Sequence, residues 1–401
     1  MAKRKNPDYT GHIRARKNGT WEGQYLYDGV LKSVYGKTED DVREKINKIY
    51  SEILAGTFIG GSTDTVGFWL NKWLREYAQP TIRPSTYTNY ETNIRRHVNP
   101  DFGHIKLKNI KPGRIQQFFN EKSISGRADG KEGGLAPKTL LNIRNMLNEA
   151  FTQACTCKLM AYNPVSGVKL PSVKYKEQRV LNDAESENLS RVAEHSNHPV
   201  AKGIVVLLNC GLRKGELLGL QWDNVSLSEP SITIKKNFTR MKHPKKPLPD
   251  YVRVDIWAQK TNKTGLYLGP VKTHKGNRKI YLPKKALQAI LDLKNWQEKL
   301  AESSSIENIN PMRFVLCNEL GRPMDPKYFE DWFSKFVKDA GLEPANIHAT
   351  RHTFATKALQ KTQDINSIAD ILGHALPSTT LNMYGHTFDD RKKKIMEMFN
   401  D

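Results

Sequence analysis

The order of apolar and polar positions divides the chain into three stretches. Near the start, GHIRARKNGTWEGQYLYDG alternates apolar and polar residues around an Asn18-Gly19 turn signal, and Asp28-Gly29 leads into VLKSVYG. That pattern predicts three short strands. Behind them Val42, Ile46, Ile49 and Ile53 recur on one helical stripe, with Thr38 as N-cap and Asp41 as its capping-box partner. A sheet this small needs Trp21, Tyr25 and Tyr27 as core against that helix. Gly60-Gly61-Ser62 then forms a first hinge, so residues 1–62 read as a unit of their own.

From Val66 the period turns helical. TVGFWLNKWLREY is followed by a Pro84-Ser85 helix start, by PGRIQQFFNEK, and by APKTLLNIRNMLNEAFTQAC with Pro137 in its first turn. The polar, glycine-rich SISGRADGKEGG between the last two can bury nothing. This predicts a four-helix domain over 63–168. The Pro-punctuated YNPVSGVKLPSVKYKEQRVL has no period, which places a linker at 169–177. The remainder, 178–401, reads as mostly helices, with strands around SITIKKNF, YVRVDIWA and RKIYLP. The fold class expected is therefore multidomain, mainly α with small β-sheets.

Charge narrows the choice of partner. Lys+Arg number 63 against 42 Asp+Glu, a formal charge of +21 spread over the whole length, which favours a long polyanion. At 401 residues, two or three domains are expected, and 38% hydrophobic content supports modest helical cores. No apolar run approaches the roughly eighteen residues of a membrane span, and no secretory leader is expected. Cys155-Thr156-Cys157 lacks zinc spacing, so the cysteines read as reduced and buried, in a cytoplasmic protein.

Candidate chemistry gathers in the last two hundred residues. HATRHTFATKALQ places His348, Arg351 and His352 at helical i, i+3, i+4 spacing; ILGH follows with His374 behind a glycine, then LNMYGH with Tyr384 ten positions later. Upstream, GIVVLLNCGLRKGELLGLQW sets Arg213 on a corner between two apolar helical stretches, and LGPVKTHKGNRKIYLP reads as a basic turn running into a strand, its first lysine Lys272. With this order, Arg213, Lys272, His348-x-x-Arg351, Gly373-His374, Tyr384, the chain resembles the tyrosine recombinases, the phage-integrase family, and specifically the longer integrases of phages and conjugative transposons.

The chemistry fits those residue types. A tyrosine attacking a phosphodiester must be met by charges that neutralise the phosphorane, and arginines present paired donors that stay charged. The resemblance assigns that role to Arg213 and Arg351. Arg213 can also pair with Glu216 at i, i+3, and the two roles are compatible. Tyr384, with a free phenol pKa of about 10, is the nucleophile and needs deprotonation as it attacks. His348 suits proton transfer or phosphate hydrogen bonding, His374 donation to the same phosphate, and His352 packing. The resemblance implies a lysine as general acid for the departing 5′-oxygen, and Lys272 is the residue expected in that role. Lys260, Lys263, Lys275 and Lys279 lie close by, and an insertion including KHPKKPLPDY and QKTNKTG separates the strands there.

The resemblance further implies a three-stranded arm-type DNA-binding domain, with Arg14, Arg16, Lys17 and Lys32 as candidate contacts, and a SAM-like core-binding domain, with Arg95, Arg96, Lys138 and Arg144. It implies a homotetramer on double-stranded DNA with core and arm attachment sites, a 3′-phosphotyrosyl intermediate and a Holliday junction. An excisionase and a DNA-bending protein are the accessory partners, and the protein is nucleoid-associated in a bacterium when bound. No metal or ATP motif occurs, so no cofactor is implied. The rival readings are a type IB topoisomerase-like relaxase, disfavoured by the N-terminal sheet, and a DNA-binding regulator without catalysis, disfavoured by the full residue set.

Overall fold

The computed structural model describes residues 12–27, 29–55, 64–127, 130–171, 179–244, 248–255, 263–271, 274–303, 309–362, 364–374 and 376–377. Lys260, Lys272, Tyr384, the residues after it, the Gly60-Gly61-Ser62 hinge and most of the 169–177 linker lie outside the described residues. The chain separates into two compact units, Met1–Tyr175 and Lys176–Asp401.

In the first unit, β1 (Ile13–Ala15), β2 (Trp21–Tyr27) and β3 (Val30–Gly36) form an antiparallel sheet in that order, turned at Gly19 (φ +79°) and Gly29 (φ +74°). Helix α1 (Glu39–Leu54) lays Val42 and Ile46 on the sheet, over Tyr25 and over Gly23, where an added Cβ would stand 2.4 Å from both aliphatic chains. Thr38 accepts from the Asp41 N–H at 3.2 Å. The reciprocal arm of the expected capping box is displaced: Asp41 accepts from the Lys37 N–H instead, its side chain being one methylene shorter than the usual glutamate.

The helical part of this unit comprises α2 (Val66–Trp73), α3 (Pro84–Asn93), α4 (Asn99–Phe102), α5 (Pro112–Ser125) and α6 (Pro137–Thr156). Thr65 caps α2, and prolines open α3, α5 and α6, where a missing N–H costs nothing. Helices α2 and α3 each run on into a π-helical turn, Leu74–Ala78 and Ile94–Val98. The core joins Trp69, Trp73, Phe102, Phe118, Phe119 and Phe151, and the Trp69 indole N–H is satisfied by the Ala150 carbonyl at 2.9 Å.

The second unit is built round α8 (Pro199–Cys210), apolar on nearly every side and therefore buried on nearly every side. Packed on it are α7 (Asp183–Glu194), α10 (Lys284–Ser303), α11 (Pro326–Asp339) and α12 (His348–Thr362), with α9 (Lys214–Leu218) after it in the chain and α13 (Ile365–Leu372) against α12. Two small antiparallel sheets complete it. One has the order β4 (Val225–Ser226), β5 (Ser231–Ile234), β9 (Arg278–Tyr281); the other, β6 (Lys236–Lys242), β8 (Thr264–Pro270), β7 (Val252–Arg253).

These sheets are one ladder interrupted. Ile234 pairs with Arg278 and Lys236 with Pro270, so opposite the single residue Lys235 the other strand leaves the ladder after Pro270 and rejoins it at Arg278. The described residues of this extruded segment, 271 and 274–277, include a helical turn, His274–Gly276.

Candidate active site

Two glycines shape the site. Helix α8 ends at Gly211 (φ +61°) and α13 at Gly373 (φ +65°), both in the left-handed region that glycine enters without strain. Space requires glycine as well: a Cβ at Gly211 would stand 2.4 Å from the Phe354 ring, and one at Gly373, 2.9 Å from the Arg278 guanidinium. The first turn delivers Arg213 as the extended N-cap of α9; the second delivers His374, whose N–H closes on the Ala369 carbonyl at 2.9 Å.

Three guanidiniums meet the carbonyl ends of those helices. Arg351, 5% exposed, donates to the Gly211 carbonyl at 2.8 Å and the Leu372 carbonyl at 2.6 Å. Arg213 donates to Gly373 O at 3.4 Å and to Glu216 Oε1 at 2.7 Å. Arg278 donates to Ile371 O, to Gly276 O at 3.0 Å and to Glu216 Oε2 at 2.8 Å. A helix C-terminus carries partial negative charge, so these contacts hold cations in place without neutralising them. Glu216 is the single buried anion among them. Burial pushes its carboxyl up, but the Arg278 hydrogen bond and charge, then Arg213, outweigh burial and leave it below the ordinary range.

The histidines respond to the same field. Burial, then Arg351, Arg213 and Arg278, push His374 down to about 4, and burial, then His348 and Arg351, push His352 down to about 4. His348, on the open first turn of α12, is lowered by the protein mass around its ring and then by Arg351, Arg213 and Lys214. All three imidazoles are therefore neutral near pH 7, able to donate through one nitrogen and accept through the other. His352 is buried, its ring centroid 6.4 Å from that of His348. Arg213, His348, Arg351 and His374 thus feel one another's charge although they come from segments far apart in the chain. Of the lysines competing with Lys272, Lys275 faces Asp370 at 3.7 Å and Lys279 is engaged by Glu229, both exposed.

Sequence reasoning passed over Arg278. It sits in the basic run KGNRK, where nothing local separates it from its neighbours. On the N-terminal sheet, Arg14 and Arg16 share the outer face with Glu22 and with exposed Leu26, Leu31 and Tyr35, and Lys17 is exposed on the turn. Lys32 stands on the other face, opposite Tyr25, its ammonium 5.1 Å from the Tyr27 ring centroid. Arg95 and Arg96 are exposed on a π-helical turn, and Lys138 is exposed at the start of α6. Arg144 is half-buried, with a buried Nε that has no hydrogen-bond partner. Among the described residues, no group of three or more His, Cys, Asp or Glu is arranged to hold a metal ion, and no helix is long and apolar enough to cross a membrane.

Comparison with known proteins follows this geometry. The phage integrase family matches residues 179–391, and the phage integrase N-terminal SAM-like domain matches residues 65–123. A tyrosine recombinase XerC-like protein of Caldanaerobacter subterraneus subsp. tengcongensis is 25% identical over 380 residues, 93% of this chain and 92% of that protein. The ICEBs1 integrase of Bacillus subtilis is 23% identical over 320 residues, 80% of this chain and 78% of that one. Among solved structures, a Tn1549 transposon integrase in complex with a circular intermediate DNA is similar in fold, with TM-score 0.66 and 21% identity over 84% of this chain and 99% of that one. A lambda integrase tetramer bound to a Holliday junction gives TM-score 0.55 and 16% identity over 94% and 96%.

Proposed function

The chain belongs to the phage integrase family, and from that premise we propose that it is a site-specific tyrosine recombinase that integrates and excises a mobile element. One observation carries the reading: Arg213, Arg351 and His374 are held together where α8 and α13 end, in the chain order on which the family resemblance rests.

In this reading, the Tyr384 oxygen attacks phosphorus, the bond to the 5′-oxygen breaks, and a 3′-phosphotyrosyl ester forms. The phenolic proton passes to neutral His348, and Lys272 protonates the departing 5′-oxygen. Arg213 and Arg351 bind the non-bridging oxygens, and His374 adds a hydrogen bond. Each guanidinium has five N–H donors. Using some of them on fixed carbonyls orients the rest before substrate arrives, so little reorganisation remains for the transition state. The ester retains the energy of the broken bond, so a new 5′-hydroxyl can attack it and rejoin the strand without ATP.

Residues 1–62 serve as the arm-type DNA-binding domain, 63–168 as the core-binding domain, and 178–401 as the catalytic domain joined by the 169–177 linker. Double-stranded DNA is the substrate and a homotetramer the working assembly. An excisionase and a DNA-bending protein are its accessory partners. Trapping on a nicked suicide substrate tests the central assignment. Tyr384→Phe should bind a core half-site and form no SDS-stable adduct; an adduct from this variant moves the nucleophile elsewhere. Junction formation between two attachment-site duplexes separates recombination from simple relaxation.

A further inference from the structure

We propose that Arg278 is a positioning residue for cleavage, a tie that locks Arg213, the approach to His374 and residues 274–277 of the extruded segment into one arrangement. The inference rests on the recombinase reading. It starts from three contacts made by one planar group: Glu216 Oε2 at 2.8 Å, Gly276 O at 3.0 Å, and Ile371 O. Each partner belongs to a different part of the site. Glu216 holds Arg213 through its other oxygen at 2.7 Å. Gly276 closes the extruded segment, and Ile371 lies two residues before Gly373, on the last turn of α13.

The environment makes the tie stiff. The side chains of Arg278 and Glu216 are 7% and 3% exposed, so water competes little for either. Arg278 also opens β9, paired with Ile234, so its backbone is fixed by the ladder at the point where the extruded segment rejoins it. Gly373 leaves the room its guanidinium fills, because a Cβ there would stand 2.9 Å from Nη1. A lysine could supply the charge, but a single ammonium cannot span three partners in one plane.

Removing this group frees three things at once. The extruded segment loses its brace, the end of α13 loses a donor, and Glu216 keeps Arg213 as its only close counter-charge among the described residues. The charged and titratable groups facing Glu216 are Arg213 on its own helix, Arg278 from β9 and His348 from α12, while Lys214 on α9 is engaged by Glu330 of α11. Without Arg278, Arg213 alone opposes the burial that already pushes Glu216 up, so the carboxyl takes a proton at a higher pH than in the wild type and holds Arg213 less firmly.

The test is single-turnover cleavage of a nicked suicide substrate by the full chain, from mildly acid to neutral pH, with core half-site affinity measured in parallel. Arg278→Met should slow cleavage at least about tenfold, the scale on which small misplacements act, with half-site affinity unchanged and a new fall in rate towards acid pH. Arg278→Lys keeps a charge beside Glu216; its rate should lie between those of Arg278→Met and wild type, and it should lack the acid fall. Wild-type rate and pH profile in Arg278→Met overturn the proposal. If that variant does not fold, Arg278→Lys decides alone, and wild-type behaviour from it has the same consequence. Failure of wild type itself to form an adduct counts against the recombinase reading instead.

Discussion

Glu22 and Glu216 are both buried carboxylates, 3% and 2% exposed, and each is shared by two arginines. On the N-terminal sheet, Arg14 and Arg16 sit two residues apart, and their side chains are 56% and 45% exposed. In the catalytic unit, Arg213 and Arg278 come from distant segments, and theirs are 27% and 7% exposed. Tyr35 adds a hydroxyl to Glu22 at 3.3 Å, whereas helix-end carbonyls complete the second set. The same device thus gives two products. Where the arginines reach solvent, the carboxylate aims them yet leaves them able to meet a surface. Where they are enclosed, it fixes them to the tolerance that chemistry needs. Damage to the first should change affinity; damage to the second should change rate.

The largest effect expected is at Arg213. Arg213→Lys keeps a charge and loses the paired donors, so cleavage should slow by about a hundredfold or more with half-site binding retained. Near-normal cleavage would make the Glu216 pair purely structural. Glu216→Gln comes next. It leaves the buried guanidinium of Arg278 and the half-buried one of Arg213 without their anion, which should cost about 3 kcal/mol in urea unfolding and slow cleavage on the core substrate. Glu22→Gln should leave core cleavage at the wild-type rate. If both glutamine variants slow cleavage alike, the division of labour between the two sites collapses.

Arg14→Ala sharpens the binding side. In a titration with arm-site duplex it should lower affinity about tenfold and reduce the salt slope by about one counterion. Lys32→Ala, on the opposite face, should have a smaller effect than Arg14→Ala. Equal losses would mean that DNA does not meet the outer face.

What was legible in the sequence follows the range of the interactions. Arg213 and His374 stand beside the glycines that turn the chain, and His348 and Arg351 at helical spacing in one short motif, so order and spacing single them out. Glu216 was within reach as an i, i+3 partner. Arg278 was not, because it meets Glu216 62 residues upstream and Ile371 93 downstream, and no local pattern encodes either contact. The face of Lys32 depends on strand register across the Asp28-Gly29 turn, which composition does not set. The π-helical turns at Leu74–Ala78 and Ile94–Val98 escaped because one extra residue per turn leaves the apolar stripe intact.

The smallest effect separates the two sites by their response to acid. His352 and His374 titrate at about 4 in the folded chain against an ordinary 6.5. Between those values the unfolded chain binds more protons than the folded one, so each histidine makes stability rise with pH across that window and contributes no slope above it. Around the N-terminal sheet, the lowered carboxylates are Glu22 on β2, held down chiefly by its hydrogen bond from Arg14, and Asp41 on α1, held down chiefly by that from Lys45, both from a starting value near 4.5 or below. Their contribution is present above that value and lost only beneath it. Hydrogen exchange, corrected for its intrinsic pH dependence, should therefore show α12 losing protection as pH falls from 6.5 towards 4, while β2 and β3 hold theirs until below about 4.5. The ring signals of His352 and His374 should stay in their neutral form down to about pH 4 in the free protein. Titration of either near 6.5 would mean that burial and Arg351, the two influences they share, do not act on it, and the site would lose the coupling that distinguishes it from the sheet.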